Sequence, residues 1–239
     1  MGRKYEVRKE AMAKTMIQKS KVYSRYGREI YVCAKNGGTN MESNLELKHL
    51  VERAKKDEVP MDIIERNIKK AENQDSQNFE PARYEGFGPG GSAVIVDTLT
   101  DNVNRTVAEV RHCFTKNDSK LGVDGSVTHL YDHLSKVFVK GVDEETLIEL
   151  LLEADIDVRD IEADDDMIVV IGDGFSLTDI ERALSEEEEL SIVHSEKKWY
   201  PRNTIELEGE PLEKFKRFLD MVNEVEDVQA VYHNVENIK

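Results

Sequence analysis

Basic residues and tyrosines crowd the start of this chain. Arg3, Lys4, Arg8, Lys9, Lys14, Lys19, Lys21, Arg25, Arg28 and Lys35 are interleaved with Tyr5, Tyr23, Tyr26 and Tyr31. Guanidinium and ammonium groups neutralise phosphates, and exposed aromatic rings stack on bases, so this pattern offers contact with a nucleic acid. The same charges also suit solvated helix faces, and Tyr26 falls on an apolar stripe that points to a core. Three further motifs follow. Arg83-Tyr84-Glu85-Gly86-Phe87-Gly88-Pro89-Gly90-Gly91 is glycine-rich, and such a turn lets backbone amides approach phosphate closely. It lacks the Lys-Ser/Thr of a P-loop, which leaves a turn that fixes geometry or a contact with nucleic-acid backbone. Asp101-Asn102-Val103-Asn104-Arg105-Thr106-Val107-Ala108-Glu109-Val110-Arg111-His112 has the form of a helix start, capped by Asp101 or Asn102, where anions are favoured. Arg105 and Arg111 are expected on its polar side, facing either ion-pair partners or phosphate. Leu121-Gly122-Val123-Asp124-Gly125-Ser126-Val127 is the third.

Other chemistries find no constellation. His129 and His133 could share a strand face but have no third ligand, and Asp164-Asp165-Asp166 lacks EF-hand spacing and reads as a solvated hairpin turn. Cys33 and Cys113 form no CxxC or zinc spacing and suit a reducing cytosol. Glu186–Glu189 reads as a solvated run. No nucleophile, base and orienting group can be assembled. The expectation is a protein that is not an enzyme, with no metal, no cofactor and no small-molecule substrate.

Charge is divided along the chain. Of 239 residues, 34% are charged and 39% hydrophobic, and the formal net charge is −16. Residues 1–40 hold ten Lys/Arg against three Asp/Glu, a net +7, whereas residues 131–200 hold six against twenty-one, a net −15. The basic end can meet phosphate; the acidic middle is repelled by it and must face elsewhere. No apolar run approaches the roughly 18–20 residues that span a bilayer, and the charged N-terminus has no apolar signal core, so a cytoplasmic protein is expected.

The elements that must position these residues change character midway. Before residue 73 the pattern is helical. After a first basic helix carrying Met12, Met16 and Lys19, a second over about Val22–Lys35 places Val22, Tyr26, Ile30 and Cys33 on one face. Gly37-Gly38 ends it, and Ser43 with Glu46 fits a capping box for a helix carrying Leu47, Leu50, Val51 and Ala54. Pro60 opens a third helical stretch with Ile63, Ile64 and Ile68 inward. Asn73–Asn78 is polar and aperiodic, a linker. Strands are expected at Ala93–Leu99 and Val127–Tyr131, around a helix that buries Val103, Val107, Val110 and Phe114. Lys136–Lys140, Asp143–Ala154, Val158–Ala163, Met167–Ile171, Leu177–Leu184 and Leu190–Tyr200 then read β-α-β-β-α-β, the ferredoxin-like order. Thr204–Leu207, Pro211–Asn223 and Val228–Tyr232 add strand, helix and strand, completing a second such unit begun at Ala93.

Taken together, the three motifs between Arg83 and Val127 resemble those of the YebC family of probable transcriptional regulators, most closely its YeeN-like branch. In that family Asp-Asn-x-Asn-Arg-Thr, here Asp101–Thr106, is a hallmark. Many YebC-like proteins open with Gly-His-Ser-Lys-Trp; this chain opens Gly2-Arg3-Lys4-Tyr5-Glu6, similar to the YeeN-like branch, so no role of that His-Ser pair transfers to it. The resemblance implies an α+β fold in three parts: a basic helical domain (1–78), a split ferredoxin-like α/β domain (79–132 with 202–239), and an inserted acidic ferredoxin-like domain (133–201). It also implies a transcriptional regulator that binds DNA. The candidate contacts are Arg3, Lys4, Lys9, Lys14, Lys19, Lys21, Arg25 and Arg28 of the helical domain, with Arg83, Tyr84, Arg105 and Arg111 beyond it. Because the family includes a mitochondrial translational activator of a cytochrome c oxidase subunit, an RNA- or ribosome-bound translation factor is the alternative. Limited proteolysis is expected to cut first within Asn73–Asn78, releasing a helical fragment; first cleavage inside residues 133–201 contradicts the boundaries.

Overall fold

One helix occupies the stretch in which two were expected: α1 runs from Gly2 to Gly37 without a break. The computed structural model describes residues 2–72, 78–164, 166–185, 187 and 190–238; the side chains of residues 2–15, Ile17 and Asp164 are outside that description, as is the expected linker at residues 73–77. No proline interrupts α1, and its internal Gly27 is buried where a Cβ would meet Asn67 Nδ2 at 2.9 Å, so glycine allows the third helix to pack closely. Helix α2 (Leu45–Lys56) is capped one residue later than expected: Asn44, not Ser43, accepts from the Leu47 amide at 3.1 Å. Ser43 Oγ instead donates to the Asn40 carbonyl, and Asn44 Nδ2 reaches back to the carbonyls of Cys33 and Gly38. Helix α3 (Met61–Ala71) opens after Pro60. Ile30, Leu47, Leu50, Val51, Ala54 and Ile64 form the core among these helices.

The remaining elements are β1 (Glu80–Phe87), β2 (Ala93–Thr100), α4 (Val103–Lys116), β3 (Lys120–Leu121), β4 (Tyr131–Lys140), α5 (Glu144–Glu153), β5 (Asp160–Asp164), β6 (Met167–Asp173), α6 (Leu177–Ser185), β7 (Ser191–Pro201), α7 (Gly209–Glu224) and β8 (Val228–His233). They form two four-stranded sheets, ordered β3-β1-β2-β8 and β5-β6-β4-β7. In the second sheet every neighbouring pair is antiparallel, the ferredoxin-like arrangement. Alternation along β4 and β6 turns Val137, Val139 and Val170 to one face, where Leu147 and Leu151 of α5 and Ile180 and Leu184 of α6 cover them.

Three strand expectations are corrected. β1 was not expected as a strand: it carries Arg83 and Tyr84 and ends at the glycine-rich turn, where Gly90 takes φ +71° and a Cβ would lie 2.5 Å from Leu207 Cδ2. Val127–Tyr131 is not a strand: residues Thr128–Leu130 form a 3₁₀ turn, and β4 starts only at Tyr131. The cause is Glu85. Its buried carboxylate accepts from the amides of Gly125, Val127 and Thr128 at 3.0, 2.8 and 2.9 Å, which removes those donors from any ladder. Thr204–Leu207 contributes only an isolated bridge, Ile205 to Val235, because Asn237 takes both the amide and the carbonyl of Leu207. The acidic triplet does lie at a hairpin between β5 and β6, with Asp166 in the turn and Asp165 outside the described residues.

The chain divides into two compact units. One comprises Met1–Tyr84, Val96–Leu121 and Glu213–Val231; the other comprises Glu85–Ile95, Gly122–Leu212 and Tyr232–Lys239. In the first unit Phe114 of α4 meets Phe218 of α7 edge to face, centroids 4.8 Å apart, and neither side chain reaches solvent. In the second, Ala93, Ile95, Val127 and Tyr131 form a small core beside the ferredoxin-like one. Replacing Phe218→Ala is expected to cost about 3–5 kcal/mol, through lost burial, the cavity left behind and the lost aromatic contact. Urea unfolding followed by circular dichroism would measure it; a loss under about 1 kcal/mol would mean that α7 is not held by this pair.

Candidate nucleic-acid interface

The described basic side chains of α1 divide into exposed and inward-facing ones. Arg3, Lys4, Lys9 and Lys14 lie on the first half of the helix, beyond the described side chains. Lys19 is exposed and pairs with Glu58 at 3.0 Å, and the hydrogen bond to Glu58 and its charge hold the ammonium above its ordinary pKa. Lys21 is half-buried. Arg25 donates to Asn223 Oδ1 at 3.2 Å, and burial lowers its pKa. Arg28 faces inward: it pairs with Glu226, donates to the Glu226 carbonyl, and places Nη1 3.4 Å from Asp227 Oδ1. Three of the interleaved tyrosines also face the protein. Tyr26 donates to Asp57 Oδ2, and burial followed by that bond raises its pKa. Tyr23 packs against the helical core. Tyr31 is buried with its ring edge-on to Phe79. Tyr5 lies beyond the described side chains.

The Asp101–Thr106 motif is built around a residue that sequence reasoning missed. Asn102 caps α4 by accepting from the Arg105 amide at 3.1 Å, and its own amide donates to Thr100 Oγ1. Arg105 does not point away from the protein. Its Nη2 donates to Asp227 Oδ2 at 2.7 Å and to Asp101 Oδ1 at 2.8 Å. Thr106 Oγ1 lies 2.6 Å from the same Asp227 oxygen, and Thr100 Oγ1 lies 3.0 Å from it. Asp227 is 1% exposed. Burial pushes its pKa up, but hydrogen bonds from Arg105, Thr106 and Thr100, with the Arg105 charge, outweigh that and hold it below the ordinary carboxylate range. The buried face of α4 is accordingly Thr106, Val110, Cys113 and Phe114, and Val103, expected inside, is exposed. Asp227 stands 122 residues from Arg105 in an ordinary acidic stretch, Glu224-Val225-Glu226-Asp227, so no local spacing marks it.

The other expected contacts are dispersed. Arg83 pairs with Asp97 of the adjacent strand at 2.7 Å, and the Tyr84 hydroxyl lies 3.5 Å from the Val103 carbonyl. Arg111 is exposed on α4. Arg28, Arg105, Asp101, Glu226 and Asp227 border a cleft of about 480 Å³, completed by Tyr23, Ser24, Arg66, Lys70 and Phe79 among others. Burial pushes the Cys33 thiol up to about 12 and raises that of Cys113, which leaves both protonated and poorly nucleophilic. Among the described residues no group of three or more His, Cys, Asp or Glu could hold a metal ion, and no helix is long and apolar enough to cross a membrane.

Comparison with known proteins covers nearly the whole chain. Residues 3–74 match a family model described as the TACO1/YebC protein N-terminal domain, and residues 79–235 match one described as the TACO1/YebC second and third domain. A probable transcriptional regulatory protein of Alteromonas mediterranea is 49% identical over 235 residues, 98% of each chain. One of Vibrio cholerae is 49% identical over 237 residues, 99% of each. The crystal structure of a conserved hypothetical protein from Aquifex aeolicus superposes with a TM-score of 0.69 at 34% identity, covering 92% of this chain and 90% of that one.

The Asp227 network predicts a defined acid response. Its pKa lies below the unfolded carboxylate value of about 3.9, so its stabilisation is complete above that pH and is lost as pH falls toward the folded value. Asp227→Asn should destabilise the protein by about 2–3 kcal/mol at neutral pH, less than for a fully buried pair because Arg105 is 45% exposed. It should also flatten the fall in stability below about pH 4. Urea midpoints between acid and neutral pH test both; an unchanged acid slope would show that Asp227 is not the titrating group.

Proposed function

Because the chain belongs to the TACO1/YebC family, we propose that it is a non-enzymatic regulator of gene expression that works in the cytoplasm by binding DNA through the basic residues of α1. The observation that carries this reading is the charge distribution. A chain of net −16 concentrates +7 in its first 40 residues, nearly all of them on one helix. The contacts we propose are Arg3, Lys4, Lys9, Lys14, Lys19 and Lys21, with Arg111 on α4. Arg28, Arg83 and Arg105 have carboxylate partners and act in this reading by positioning α1, β1 and α4. Arg25 and Tyr84, bonded to Asn223 and directed at the Val103 carbonyl, belong with them. The names of the relatives, probable transcriptional regulatory proteins, support regulation of transcription. A second reading, a translation factor on RNA or the ribosome, draws on the TACO1 half of the family and uses the same phosphate chemistry.

Lys14→Glu, Lys19→Glu and Lys21→Glu combined should lower affinity for nucleic acid at least tenfold. Each lost phosphate contact should also reduce the slope of log affinity against log salt by about 0.7–0.9. Losing the exposed Lys19–Glu58 pair should cost little stability. Fluorescence anisotropy on duplex DNA and on RNA, with circular dichroism as the folding control, measures this. A salt-independent affinity on both would remove the phosphate mechanism. Co-sedimentation with ribosomes that RNase abolishes would favour translation over transcription.

A further inference from the structure

We propose that the cleft between α1, α3 and the N-terminus of α4 receives one unstacked nucleotide of a single strand, its phosphate against Arg66 and Lys70 and its base against Tyr23 and Phe79. The inference rests on the nucleic-acid reading above and adds to it a place and a strand state. The volume of about 480 Å³ falls within the roughly 300–1,000 Å³ of small-ligand sites, room for one nucleotide and not for a duplex.

The lining has the required chemistry. Four cations and three carboxylates line the cleft, a net positive site in a chain of net −16. The carboxylates are already engaged: Asp101 and Asp227 by Arg105, and Glu226 by Arg28. Arg66 is exposed on α3 and forms no ion pair among the described residues, so its guanidinium fork can take two phosphate oxygens. Lys70 adds a second positive charge 5.5 Å from the Tyr31 ring centroid. Ser20 and Ser24, both exposed on α1 along the cleft, add hydroxyl donors, and Asn67 adds an amide. Tyr23, packed on its inner side against the helical core, and Phe79, already met by Tyr31 edge-on and by the Arg28 guanidinium 5.7 Å from its centroid, are half-buried and line the cleft, where the ring surface that remains can meet a base. A helix face that only needed solvation would not bring two aromatic rings, two hydroxyls and an exposed guanidinium with no ion pair among the described residues into one concave site.

The test uses the full chain and short oligonucleotides of one sequence as single-stranded RNA, single-stranded DNA and duplex DNA, with a photoreactive halogenated pyrimidine in each single strand. The cleft predicts cross-links to Tyr23 or Phe79, mapped by mass spectrometry, with the single strands and not with the duplex. Arg66→Glu, and Ser24→Leu to fill the cleft with a side chain that cannot stack, should each lower single-strand affinity about tenfold or more while leaving duplex affinity unchanged. Whichever sugar gives the larger cleft-dependent loss identifies the strand as RNA or DNA. Wild-type affinity in both variants, with cross-links confined to residues outside the cleft, overturns the proposal and leaves the basic residues of α1 as the contact. Absence of binding to every oligonucleotide removes this proposal together with the reading beneath it. Should either variant fail to fold, the cross-link map of the unaltered protein decides alone.

Discussion

Buried Asp227 is the constraint on which the first unit depends. A carboxylate removed from water costs several kcal/mol unless donors and a counter-charge replace its hydration. Here the replacements come from three separate segments. Thr100 ends β2, Arg105 and Thr106 open α4, and Arg28 reaches over from α1. The Asp227 carbonyl also accepts from the Leu99 amide at 2.9 Å. Each donor is useful only in one position, so the charge fixes the end of β2, the start of α4 and the C-terminal half of α1 relative to one another. The hallmark Asp101–Thr106 is therefore, in its geometry, a receptor for this carboxylate: Asn102 caps the helix, Arg105 brings the charge and Thr106 the hydroxyl.

Glu85 follows the same logic in the second unit with different donors. Burial raises its pKa, but three backbone amides of the 125–128 segment hold it below the ordinary range. The carboxylate thereby shapes the Leu121–Val127 motif. Gly125 takes φ +81°, and a Cβ at Gly122 would lie 2.3 Å from Ser126 Oγ. Glycine at these positions answers to a folded loop around an anion of the protein itself. The Gly88–Gly91 turn is likewise explained by positive φ at Gly90 and Gly91 and close packing on Leu207. The glycines that suggested phosphate are used to build the scaffold.

What remains for a ligand is correspondingly narrower than the sequence suggested. Arg28, Arg83 and Arg105 are engaged by Glu226, Asp97 and Asp227, and phosphate would have to displace those carboxylates to reach them. Among the described residues, Lys21 on α1, Arg66 on the exposed side of α3 and Arg111 on α4 form no ion pair. The engagement of Arg105 makes the hallmark arginine part of the scaffold, and the contacts proposed above are drawn from α1 and Arg111 instead.

The α+β class, the helical first third, the ferredoxin-like order of β4 to β7 and the opposed charges of the two ends were legible in the sequence. These follow from local periodicity, from the turn preferences of glycine and proline, and from simple counting. A cap for α4 at Asp101 or Asn102 was legible for the same reason, since a cap acts over three residues, and the structure takes Asn102. Tertiary structure alone decided where the arginines point. Arg105 and Asp227 are 122 residues apart, and only the folded chain shows that the residue expected to face phosphate has a buried carboxylate waiting for it. It also decided that Val127 and Thr128 form no strand, because the Glu85 carboxylate competes for their amides from some 40 residues away. In both cases a buried charge must find its donors wherever the fold can bring them, and sequence spacing carries no record of that search.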